Sequence, residues 1–181
     1  MFEILSNFAE KHETVSIYSN LENTFAHLTG YVLKVTEDYV LIAHITEHGF
    51  YDGYILKRLE DIYRVDNGGL YEWKITALYH LRNQKHDLFT QSESTTSLKL
   101  NIQFLQCAKE NNKIISVEYG DTVISGFVSD YDENKLFLSI VDEYGNKNGN
   151  TIIYLDTIQT IALDTDTEQD ILLLYQQKLK R

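Results

Sequence analysis

Proline is absent from this chain of 181 residues. Its turns therefore fall to Gly, Asn and Asp, which reach positive φ by other means. Cys107 is the only cysteine, which excludes an intrachain disulfide and any cysteine-rich zinc site. No apolar run approaches the roughly 18 residues of a membrane span. No basic-then-apolar leader opens the chain, so a soluble protein in a reducing, cytoplasmic setting is expected, with no membrane partner. Basic residues are also scarce, 16 Lys and Arg against 27 Asp and Glu, for a net charge of −11. The excess is shared, −5 over residues 1–91 and −6 over 92–181. RNA or an anionic lipid surface meets long-range repulsion from either half unless a local basic patch overcomes it. Histidine is missing from the second half: His12, His27, His44, His48, His80 and His86 all lie in the first.

What is present is one small domain written twice. Thr29 to Tyr79 aligns without a gap with Ser125 to Tyr175, at a constant shift of 96. Gly30, Val32, Glu37, Glu47, Gly49, Gly53, Leu59 and Ile62 recur as Gly126, Val128, Glu133, Glu143, Gly145, Gly149, Leu155 and Ile158. Shared positions report shared backbone needs, and a residue missing from one copy is not required by the fold. The expected domains are 1–82 and 98–181, with the Ser-, Thr- and Gln-rich stretch 83–97 as a linker of weak structure.

Each copy reads as helix, strands, helix. Phe2, Ile4, Leu5, Phe8 and Ala9 have helical spacing before "HETVSIYS" turns strand-like, and Leu98 to Ala108 precede an Asn111-Asn112 stop. Gly120-Asp121 marks a tight hairpin, and the first copy has a longer connection there, "SNLENTFA". "YVLIAHI" and "KLFLSIV" are strands apolar on both faces. A loop with glycines four apart follows, Gly49 and Gly53 or Gly145 and Gly149. Then come two short strands, "YILKR" and "DIYRV", matched by "TIIYL" and "TIQTI". "GLYEWKITALYHL" and "DTEQDILLLYQQKL" close the copies as helices, the second capped by Thr165 or Thr167.

A leading helix and five bent strands resemble the Sm-like (LSm, Hfq-like) barrels of the wider SH3-like group. The residues carrying the resemblance are Gly30, Val32, Val35, Asp38 and Val40, repeated as Gly126, Val128, Tyr131, Asn134 and Leu136. The resemblance implies an α+β, mainly β fold of two tandem five-stranded bent barrels, each with an N-terminal and a C-terminal helix. It also implies self-association through the edges of the fourth and fifth strands. The family's RNA signatures, an Arg-Gly or Lys-rich motif after the fourth strand, are absent from both copies.

Chemistry is sparse. His44, Glu47 and His48 are the nearest approach to a zinc-ligand cluster, but the second copy has Ile140, Glu143 and Tyr144. They are expected to be solvated loop residues, with no metal or other cofactor. No nucleophile–base pair or phosphate-cradling loop stands out, so an enzyme is not expected. Tyr54, Lys57, Arg58, Tyr63 and Arg64 form the densest basic-aromatic group, the pattern of a single-strand nucleic-acid site. In the second copy the corresponding stretch is largely neutral. Gly30, Gly49, Gly53, Gly126, Gly145 and Gly149 are expected to be structural. Thirteen tyrosines and eight phenylalanines suit protein interfaces. Trp73, which is Gln169 in the second copy, is expected to pack against a domain or a partner. The expected function is a non-enzymatic protein-interaction or scaffolding module, with RNA binding through the basic-aromatic group as the alternative.

Overall fold

The computed structural model describes residues 1–89 and 99–180. They fall into two compact units that divide between Thr96 and Ser97. The first unit runs α1 (Phe2–Lys11), β1 (Thr14–Tyr18), β2 (Leu28–Val35), β3 (Tyr39–Ile45), β4 (Tyr51–Arg58), a 3-10 turn (Leu59–Asp61), β5 (Arg64–Asn67) and α2 (Leu70–Leu81). The second repeats the order with α3 (Leu100–Glu110), β6 (Ile114–Tyr119), β7 (Thr122–Tyr131), β8 (Lys135–Val141), β9 (Lys147–Tyr154), a 3-10 turn (Leu155–Thr157), β10 (Thr160–Leu163) and α4 (Asp166–Leu179). The protein is thus a mostly-β α+β chain, and its strands pair antiparallel.

Within the first unit the strand order is β5-β1-β2-β3-β4, and within the second β10-β6-β7-β8-β9. The expected barrels are not closed. Closure needs the end strands to bond each other, but the 3-10 turn carries the chain away from β4, and β5 pairs with β1. The sheets are therefore open. The expected strand over 61–65 starts late for the same reason, because Asp61 belongs to the turn and pairing begins at Arg64.

Two bulges recur at matching places and bend each sheet. β2 holds Leu33 as an extra residue between Val32 and Lys34, and β7 holds Ser129 between Val128 and Asp130. β4 then sets Asp52 and Gly53 opposite His44, and β9 sets Asn148 and Gly149 opposite Ile140. Gly53 and Gly149 supply φ values of 64° and 81° there, the left-handed geometry a bulge assigns to glycine. They thus lie in strands, while Gly49 and Gly145 make the preceding turns.

Both faces of the sheet are covered. In the first unit α1 packs on β2, with Leu5 buried, while Ile75 and Tyr79 of α2 bury Ile45 against Tyr31. In the second, Ile171 and Tyr175 of α4 meet Ile114, Val141 and Phe127. This accounts for strands apolar on both sides, such as Val40 to Ile45.

Candidate functional site

One polar arrangement is common to both units. Ser16 of β1 donates to Oε1 of Glu72 at 2.6 Å, and its hydroxyl also meets that of Thr29 at 3.1 Å. Oε2 of Glu72 accepts from the Gly69 N–H at 3.1 Å. The second unit repeats this with Ser116, Ser125 and Glu168, whose Oε2 accepts from the Thr165 N–H at 2.9 Å. A carboxyl group at the third helical position thus closes the helix start and ties it to the first strand. Glu72 and Glu168 are both buried. Because the arrangement recurs, it belongs to the fold. Glu72→Ala or Glu168→Ala, which strands these donors, is expected to lower stability by about 1–3 kcal/mol. Urea unfolding measures this, with Trp73, the only tryptophan, reporting on the first unit. Unchanged midpoints in both variants would remove the structural role.

The basic-aromatic group does not form one surface. Tyr54 is fully buried and Lys57 nearly so. Arg58 is held by Asp61 through Nε at 3.1 Å and Nη2 at 3.0 Å, which raises its pKa. Arg64 bonds Asp66 through Nε at 2.9 Å, and this contact lowers the Asp66 pKa. Tyr63 is exposed and its hydroxyl donates to the Asn20 carbonyl at 3.3 Å.

The His44, Glu47 and His48 group also separates. His44 Nδ1 lies 2.9 Å from Asp52 Oδ2 across the β4 bulge, a close approach without an aligned hydrogen bond. His48 instead stands 3.5 Å from Glu47 on the exposed turn. Among the described residues no three His, Cys, Asp or Glu side chains converge as a metal site. Burial pushes the Cys107 thiol up to about 11, away from nucleophilic use.

What the first unit does assemble is a row of rings beside the start of α2. Tyr18 and His27 have centroids 5.1 Å apart, His27 and Tyr71 5.2 Å, and Tyr18 and Tyr63 6.5 Å. The Arg64 guanidinium lies 4.4 Å over the Tyr18 ring. Of these, Tyr18, His27 and Tyr71 line a groove of about 530 Å³ that also includes Asp66, Asn67, Leu70 and Glu72. Beside it α2 exposes Leu70 at 86% and Trp73 at 68%. The second unit carries Glu118, Val123, Thr167 and Gln159 in place of Tyr18, His27, Tyr71 and Tyr63. It also has Asp166 and Gln169 in place of Leu70 and Trp73. The fold therefore forms without the ring row, and only the first unit has it.

The stretch expected as a linker begins within the first unit's packing. His86 is buried, with Nε2 2.9 Å from the Gly53 carbonyl and Nδ1 2.8 Å from the Tyr79 hydroxyl. The Leu88 N–H donates to the Tyr54 hydroxyl at 2.8 Å. Residues 90–97 of that stretch lie outside the described residues. Burial pulls the His86 imidazole down to about 4 and, with neighbouring phenols, raises Tyr79 to about 12.

No family profile matches the chain. No curated protein matches it either. Among solved structures, a conserved hypothetical protein from Pyrococcus furiosus is similar to this chain at 29% identity. The match covers 36% of this chain and 98% of that one, with a TM-score of 0.30.

Proposed function

We propose that this chain is a non-enzymatic protein-interaction module of two Sm-like units, with the α2 face of the first unit as its binding surface. The leading helix, the five antiparallel strands and the recurring bulges support the Sm-like reading. One observation carries the functional reading: Leu70 and Trp73 are exposed on α2, where the duplicate helix α4 has Asp166 and Gln169. Exposed leucine and tryptophan on one helix face are costly to solubility and are concentrated at interfaces. The duplicate shows that the fold does not need them. The dispersal of the basic-aromatic group and the net charge of −11 weigh against RNA.

The test is recovery of partners from source-cell lysate by wild-type protein and by a Leu70→Asp/Trp73→Gln variant, each with and without nuclease. Proteins retained through nuclease by the wild type and lost by the variant are expected. Partners held equally by both, or recovered only when nucleic acid is intact, would overturn the assignment. Sizing the wild type and the variant by light scattering tells a second copy, pairing through sheet edges, from another protein.

A further inference from the structure

We infer that the groove beside α2 of the first unit takes a basic peptide segment of another protein, resting on the interaction reading above. A Lys or Arg of that segment lies against the ring row, and a neighbouring apolar side chain covers Leu70 and Trp73. The chain already shows the chemistry. Arg64 places its guanidinium 4.4 Å over the Tyr18 ring while bonding Asp66, the combined ring-face and carboxylate contact that suits a cation. The next rings, His27 and Tyr71, stand nearly edge to face at 79° along the groove, so ring surface continues past the place Arg64 occupies.

Charge points the same way. The lining includes two carboxylates, Asp66, bonded by Arg64, and Glu72, bonded by Ser16 and Gly69, and neither Lys nor Arg. Two cations stand against its rings, Arg64 over Tyr18 and Lys74 5.8 Å from Tyr71. The net charge of −11 attracts a basic partner and repels both a second copy and nucleic acid. Where the first unit sets Arg64 over Tyr18, the second has Thr160 donating to Glu118, and it has Ala162 in place of Asp66. The cation-accepting set is therefore an addition to the fold.

Trp73 is the only tryptophan and is exposed on α2, the helix whose Leu70 and Tyr71 line the groove, so its emission is the readout. The full chain is titrated with a synthetic peptide of alternating Arg and Leu. A Glu–Leu peptide of equal length and oligouridylate are run in parallel. A saturable shift with the Arg–Leu peptide alone, weakened by salt, is expected. A Leu70→Asp/Tyr71→Asn variant that keeps the wild-type circular dichroism should lose about tenfold in affinity or more. Asp66→Ala, which removes the carboxylate held by Arg64, should do the same. Diffuse attraction predicts the reverse for the first variant, since its added carboxylate would tighten binding; that result overturns the proposal. A response to the Glu–Leu peptide overturns the basic occupant and keeps the interaction reading, whereas a response to oligouridylate overturns both. Silence toward every probe also overturns the basic occupant, while the nuclease-resistant capture described above decides the interaction reading separately.

Discussion

Gly30→Ala is expected to lower the melting temperature of the first unit by about 12 °C or more, equivalent to a loss of about 3 kcal/mol. The reason is a close approach between strands, since Gly30 is not among the positive-φ residues. A Cβ at this position would lie 2.1 Å from the Ala43 carbonyl oxygen and 3.0 Å from the Ile42 side chain. The first obstacle is backbone, in a strand paired on both sides, so no rotamer change relieves it. Gly126 repeats the geometry, with its Cβ 2.3 Å from the Ser139 carbonyl oxygen. Gly68→Ala is the matched control. Its φ of 68° disfavours a side chain, but a Cβ there meets nothing within 4 Å, so a cost of about 1 kcal/mol is expected. Thermal unfolding followed by Trp73 emission compares the two. Equal losses would mean that strand contact at Gly30 is not what fixes the glycine.

The recurrence of Gly30, Gly49 and Gly53 at a shift of 96 made much of the fold readable. Backbone demands repeat whenever a fold repeats, and these positions answer to backbone. The open sheet was not readable in this way. Whether β5 bonds β1 alone or also β4 depends on the path of the Leu59–Asp61 turn, and an alternating apolar pattern looks the same in either case. The ring row was hidden for a different reason. Tyr18 and His27 flank the one connection where the copies differ in length, ahead of the gap-free alignment that begins at Thr29. Tyr71 and Asp66 read as ordinary helix and strand residues. Trp73 was visible, because a tryptophan facing a glutamine in the duplicate needs a reason outside the fold. The basic-aromatic group is compact in sequence but spread in the fold, because adjacency in sequence is not adjacency on a surface. Along β4 neighbouring side chains take opposite faces, and the pairing acids Asp61 and Asp66 lie in and beyond the following turn.

His86 was passed over for its polar neighbourhood in sequence, yet it makes the first unit sensitive to acid. Nε2 faces the Gly53 carbonyl, which only accepts, so that nitrogen carries the proton and Nδ1 accepts from the Tyr79 hydroxyl. Protonation puts a second N–H against Tyr79 and a charge among Tyr51, Tyr54 and Tyr79, with Asp52 as the nearby acid and His44 as an opposing base. The folded-state value of about 4 lies below the ordinary 6.5. Between these values the unfolded chain binds the extra proton, so stability rises with pH across that window and is lost as pH falls through it. The full effect from pH 7 to pH 4 is about 3 kcal/mol. Other groups titrate in the same range, so the informative quantity is a difference between two proteins. His86→Gln is expected to be less stable than wild type at pH 7, because Gln cannot reproduce both contacts and the ring stacking, but its urea midpoint should fall less on acidification. The two curves should converge near pH 4, as the wild type loses the contribution that the variant never had. Parallel curves for wild type and variant, read by Trp73 emission, would show that the imidazole keeps its ordinary titration and that the acid response of the first unit comes from its carboxyl groups alone.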